Sequence, residues 1–244
     1  MYEKLAELLK NNRPAALATV VAGEPLGAKL LVSTEGVVAG SIDPRLDEQI
    51  AADALGLLAA EQSRVQQYHL GSATLDAFIE TFPPPQRLII IGGVHVAIPL
   101  HHIAKLLGYH VTVVDARGIL ATPERFPLAD SIMVEWPDDA LAALHLDSGT
   151  SVVVLTHDPK FDYPALLAAI RSPARYVGAI GSKNTNSKRM EALREMGATD
   201  EQLSRIFAPV GLDLGARSPS EIALAVMAEI VAQRYSRNGG HLKR

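Results

Sequence analysis

The chain is 244 residues long, 48% apolar and 20% charged, which is ordinary for a globular protein and enough to bury one large core or two modest ones. Its 23 Lys and Arg against 27 Asp and Glu leave a net charge of -4 at pH 7, without the basic excess that general nucleic-acid or anionic-membrane binding requires. With no cysteine, disulfides, thiolate metal sites and cysteine nucleophiles are excluded.

The first residues, Tyr2-Glu3-Lys4-Leu5-Ala6-Glu7-Leu8-Leu9-Lys10, read as an amphipathic helix rather than the continuous apolar core of a signal peptide, so a cytoplasmic protein is expected. The most apolar stretch, 88–100, is interrupted by Gly92, Gly93 and His95 and is too short to span a bilayer. Strand-like runs follow at 15–21, 29–33 and 37–40, punctuated by Gly23, Gly27 and Gly36 as hairpin turns would be. A helical stretch at 46–60 and a further strand at 64–70 complete a small α+β domain, 1–82. Pro83-Pro84-Pro85 then opens a short semi-rigid linker, 83–86.

From 87 to 244 the pattern alternates between strand and helix. Strands are expected at 87–91, 110–114, 131–135, 152–155 and 175–178, with helices near 97–107, 138–145, 162–171 and 183–196. Continuous Val, Ile and Leu runs are typical of strands buried on both faces. Their alternation with helices predicts a Rossmann-like α/β domain with a doubly wound parallel sheet. Thr199 with Gln202 opens one more helix, and Ser218-Pro219-Ser220-Glu221 is a capping box for another ending near Arg234.

Turns at the carboxyl edge of such a sheet carry its ligand chemistry. Gly92-Gly93-Val94-His95-Val96-Ala97 resembles the dinucleotide fingerprint, with Asp115 placed to grip a ribose. Val94 stands at the second glycine position, where a β-branched side chain is expected to obstruct a pyrophosphate. His95 could donate to a phosphate or cap the helix. In Thr156-His157-Asp158-Pro159, His157 is expected to face a ligand and Asp158 to cap the next helix; the two need not pair. Gly178-Ala179-Ile180-Gly181-Ser182-Lys183 offers amides, a hydroxyl and an ammonium, a cradle for a phosphate or a pterin phosphate. It feeds a helix whose Lys188 and Arg189 would otherwise form a solvated basic face. Adjacent His101 and His102 are expected to diverge on their helix, and no metal site is expected.

These motifs resemble the XdhC/CoxI family, accessory factors of xanthine dehydrogenase and related molybdenum hydroxylases. The resemblance runs almost continuously over 87–234, and its most specific parts are Leu155 through Asp162, Tyr176 through Lys183, and 206–217. Ala18-Thr19-Val20-Val21, Gly27-Ala28-Lys29 and Gly40-Ser41 are similar to the family's smaller domain. The resemblance implies a maturation chaperone without turnover of its own, binding molybdopterin (molybdenum cofactor) as cargo. It further implies help with the cofactor's sulfuration and insertion. Partners would be an apo molybdenum hydroxylase and a cysteine desulfurase; a homodimer is left open. The candidate cofactor-binding residues are Gly92, Gly93, His95, Asp115, Thr156, His157, Asp158, Gly178, Gly181, Ser182, Lys183, Asp213 and Arg217. None is assigned to catalysis or to a metal.

One departure from the family pattern matters. Members commonly carry a Gly-rich, cysteine-containing element where this chain reads Gly40-Ser41-Ile42-Asp43-Pro44-Arg45-Leu46-Asp47. Two other readings stay open: an NAD(P)-dependent oxidoreductase built on Gly92, Ala97 and Asp115, and a nucleotide-sensing regulatory paralogue.

Overall fold

The computed structural model describes residues 1–242; Lys243 and Arg244, placed by the sequence in the second domain, lie outside the described residues. The chain divides into two compact units, the first Met1–Pro84 and the second beginning at Pro85.

The first unit runs α1 (Tyr2–Lys10), β1 (Ala15–Ala22), β2 (Lys29–Ser33), β3 (Gly36–Ser41), α2 (Asp47–Ala59), β4 (Arg64–Leu70) and β5 (Ala73–Phe82). Its strands form an antiparallel sheet in the order β3-β2-β1-β5-β4. Strand alternation separates two cores. Ala16, Ala18 and Val20 of β1 pack with α2, while Ala15 and Leu17 pack with Leu5 and Leu8 of α1. Strand β5 has no counterpart among the expected elements. Its signal is present in the sequence nonetheless, since Leu75, Ala77 and Ile79 alternate inward.

The second unit continues with β6 (Arg87–Ile91), α3 (Ala97–Leu106), β7 (His110–Val114), β8 (Ser131–Met133), α4 (Pro137–Ala143), β9 (Thr150–Val154), α5 (Pro159–Arg171), β10 (Tyr176–Ala179), α6 (Lys183–Glu195), α7 (Asp200–Ser204), β11 (Ile206–Phe207) and α8 (Pro219–Arg234). All six strands are parallel, in the order β11-β10-β9-β6-β7-β8. The order reverses between β9 and β6, which makes this the doubly wound arrangement.

Alternate residues feed opposite faces. Leu88, Ile90, Val153 and Leu155 pack under α3 and α8, while Ile89, Ile91, Val152 and Val154 pack under α4, α5 and α6. Each fully buried Val, Leu or Ile contributes roughly 1.5–3 kcal/mol of transfer free energy. These central strands therefore hold the edge that bears the turns. Both expected capping boxes form, at Thr199 with Gln202 and at Ser218 with Glu221. Helix α5 begins at Pro159, three residues earlier than expected, because Asp158 caps it by accepting from the Lys160 N–H at 3.2 Å. Strand β8 ends at Met133, short of the expected 135, and the two-residue β11 is an addition to the expected set.

Candidate functional site

The turns after β6, β7, β9, β10 and β11 all emerge at the carboxyl edge of the parallel sheet. The structure sorts the candidate residues among them into a buried set and an exposed set. Gly92, Gly93, Asp115, Thr156 and Gly178 are buried; His95, His157, Ser182, Lys183, Asp213 and Arg217 are exposed, with Gly181 and Asp158 between.

At the switch point, Gly92 has φ +103°, and a Cβ there would lie 2.6 Å from the Thr156 Cγ2. A glycine is required where the turns after β6 and β9 meet. Asp115, expected to grip a ribose, has other partners. It accepts from the Gly93 N–H at 2.8 Å and from the Arg117 backbone N–H, Nε and Nη2 at 2.8–2.9 Å. Burial pushes this carboxyl up, but the bonds from Arg117 and Gly93 outweigh burial and hold it below the ordinary carboxylate range. Arg125 Nη2 donates to the Gly93 carbonyl at 2.7 Å, closing the turn from the other side. Val94 is half-buried and packs against the core beneath α3 and α8. The glycine turn is thus fastened by the protein's own groups.

A buried polar chain links the turns after β9 and β10. The Thr156 hydroxyl donates to Asp162 Oδ1, and Arg189 Nη2 donates to Asp162 Oδ2 at 2.7 Å. Arg189 Nη1 donates to Asn186 Oδ1 and, at 2.9 Å, to the Ile180 carbonyl; Asn186 Nδ2 donates to the Gly181 carbonyl at 3.2 Å. Thr156, Asp162, Asn186 and Arg189 are each at most 4% exposed. Burial pushes the Asp162 carboxyl upward, against Thr156, Arg189 and the nearby His157. Arg189 therefore belongs to the interior and not to a solvated basic face. Exposed His157 sits beside these buried groups, while Ser182 caps α6 by accepting from the Thr185 N–H at 3.2 Å.

The third turn is held equally firmly. Glu229 of α8 accepts from the Gly211 N–H at 2.9 Å and from the Tyr176 hydroxyl at 2.5 Å. Burial, followed by the Glu229 charge, pushes the Tyr176 hydroxyl pKa far upward, so it stays a donor. Gly178 lies in β10 and makes room for its neighbours: a Cβ would come within 2.5 Å of the Val210 Cγ2. Between the start of α6, this turn and the first turns of α8 lies a cleft of about 430 Å³, lined by Lys183, Asp213, Leu212, Leu214 and Ile222 among others. It stands over β10 and β11, away from the switch point between β9 and β6.

Two further findings bear on chemistry. His101 and His102 do not diverge as expected; their ring centroids lie 4.0 Å apart, with His101 fully buried against Phe126. In the first unit, the segment that departs from the family pattern is closed by Asp47. Its carboxylate accepts from the Ser41 hydroxyl at 2.5 Å and the Ile42 and Asp43 N–H groups at 2.8 and 3.1 Å.

Comparison with known proteins places these features in a lineage. Residues 88–230 match the XdhC Rossmann domain, and residues 8–69 match the XdhC and CoxI family. An uncharacterized protein of Escherichia coli, YqeB, is 28% identical over 98% of this chain and 47% of its own length. A Bacillus subtilis protein described as a probable xanthine dehydrogenase subunit is 30% identical over 71% of this chain and 51% of its own length. The molybdenum cofactor insertion chaperone PaoD of Escherichia coli is 32% identical over 66% of this chain and 44% of its own length. The chain therefore spans about half the length of the curated relatives it matches. A crystal structure of a xanthine dehydrogenase from Bacillus halodurans shares the fold, with a TM-score of 0.56 at 21% identity, covering 97% of this chain and 96% of that one.

Proposed function

The chain belongs to the XdhC and CoxI family, and from that premise we propose that it is an accessory factor that binds molybdenum cofactor and delivers it to an apo molybdenum hydroxylase of the xanthine dehydrogenase type. The observation that carries this reading is the 32% identity to a molybdenum cofactor insertion chaperone, an alignment covering 66% of this chain. The geometry supports it. His157, Ser182, Lys183, Asp213 and Arg217 are exposed on turns along one sheet edge. A molybdopterin brings a phosphate for Ser, Lys and Arg, and ring donors and acceptors for Asp and His. Nucleophilic attack or turnover is not needed for that task.

The chain's own part in sulfuration is limited by composition. With no cysteine it has no thiol to relay sulfur, so the sulfur atom would come from a partner such as a cysteine desulfurase while this protein holds the cargo. The absence of a cysteine in the family's Gly-rich element favours a second reading, a nucleotide-sensing regulatory paralogue. The two part cleanly in one experiment. Protein purified from a molybdenum-replete host is oxidised, and the released pterin is quantified by fluorescence. Near-stoichiometric pterin is expected for a cofactor carrier; protein that carries none would overturn that assignment in favour of the regulator.

A further inference from the structure

Residues 115–130 join β7 to β8 with neither helix nor strand, where a parallel crossover ordinarily packs a helix against the sheet. Connections this long without secondary structure are commonly functional. This one leaves apolar side chains outside. Ile119 is 82% exposed, Val134 just after β8 is 53% exposed, and Trp136, the chain's only tryptophan, is 50% exposed. They belong to one patch. A Cβ on Gly118 would stand 3.6 Å from the Val134 Cγ1. Trp136 lies against Phe161 with ring centroids 5.1 Å apart, and the Arg117 guanidinium sits 5.7 Å over the same Phe161 ring. These groups stand at the carboxyl edge of the sheet, beside the turn that bears His157, where the Asp158 carboxylate is close enough to Arg117 for their charges to interact.

The patch's cations already have partners: Arg117 meets Asp115 at 2.8 Å, and Lys160 meets Asp158 at 3.6 Å. Its acids do not. Among the described residues, Glu135, Asp138 and Asp139 are engaged in no ion pair. Asp138 and Asp139 favour the start of α4, but Glu135 precedes that helix, and the exposed apolar groups beside it gain nothing from the helix end. The uncompensated charge is therefore negative. It would repel an anionic ligand, which sets this face apart from the turns proposed to hold the cargo. A tryptophan and aliphatic centre inside a charged rim is the anatomy of a protein interface. An acidic rim fits a basic partner. A protein that takes over an anionic cofactor draws it in with positive charge at its entrance. We propose that Ile119, Val134 and Trp136, rimmed by Glu135, Asp138 and Asp139, dock the basic entrance of the hydroxylase that receives the cofactor. The proposal deepens the carrier reading and rests on it for the identity of the partner.

Binding of the full chain to a cofactor-free xanthine dehydrogenase-type hydroxylase, followed by biolayer interferometry at low and high salt, tests the assignment. Trp136→Ala is expected to weaken the complex about tenfold. Glu135→Lys combined with Asp139→Lys should slow association about tenfold at low salt, and the difference should shrink at high salt. Trp136 also covers Phe161, so Ile119→Ser, at the most exposed position, provides a variant that leaves the fold alone; it should weaken binding several-fold, roughly. Circular dichroism and bound pterin should match the wild type in Ile119→Ser and in the charge-reversed protein. Wild-type affinity in Ile119→Ser, or wild-type association in the charge-reversed protein, would overturn the proposal. So would a patch whose loss disturbs only self-association or binding of a cysteine desulfurase. Failure of the docking face and failure of the carrier reading look different. If the chain carries pterin but the hydroxylase does not bind, or binds these variants as it does the wild type, the face falls and the carrier stands. If the hydroxylase binds through Ile119 and the acidic rim but no pterin is carried, the carrier falls and the face stands.

Discussion

Arg189 and Asp162 meet at 2.7 Å with both side chains 2% exposed, 27 residues apart in sequence. Such a pair is a weak source of net stability while intact, yet expensive to break, because removing one partner leaves a buried charge uncompensated. Asp162→Ala is expected to lower unfolding free energy by about 3–5 kcal/mol in urea denaturation. A loss below ~1 kcal/mol would mean that the pair is solvated and does not join the two turns. His101 gives a second expectation at this scale. Burial, then the neighbouring His102, lowers its pKa below the ordinary imidazole value. The unfolded chain therefore takes up a proton at higher pH than the native one. Stability should fall as pH drops below about 6.5 toward the lowered native value. His101→Leu should flatten that slope in melting temperatures measured from pH 7.5 to 5.5, and an unchanged slope would contradict the assignment. Neither residue's role was legible in sequence. Arg189 follows Lys183 and Lys188 and looks like surface charge; only the spacing of Asn186, Arg189 and Leu193 on one helical face pointed inward. The partner that makes such burial tolerable lies on another helix.

Elements were easier to read where local chemistry and periodicity agreed. Both capping boxes, the strands β6, β7 and β9, and the carboxyl-edge placement of the turns followed from residue patterns. Strand β11 escaped because two residues carry no period, and the end of β8 because its pairing stops after Met133. Gly178 shows how an element's role can be mistaken from its neighbours. It belongs to a glycine motif, but lies within β10 where a side chain would strike Val210 and the Tyr176 ring. Gly178→Ala is thus expected to displace the turn holding Gly211 and to cost roughly 1–3 kcal/mol of stability. Wild-type stability would show that the neighbours yield freely.

At the scale of the whole molecule, the second unit has the topology of a nucleotide-binding sheet, but its switch point is fastened by Asp115, Arg117 and Arg125 around Gly93. The open cleft lies instead over β10 and β11, beside the exposed Lys183 and Asp213. Fold class and family were readable because the motifs follow sheet order. The cleft's position was not, because it depends on how Glu229, in the last helix, holds a turn 18 residues earlier. Delivery is what distinguishes a carrier, so the decisive measurement is transfer. Protein loaded with molybdenum cofactor is mixed with a cofactor-free xanthine dehydrogenase-type hydroxylase, and recovered hydroxylase activity is compared with that from an equal amount of free cofactor. Activation exceeding that of the free cofactor is the predicted result; activation no greater than with free cofactor would contradict the account.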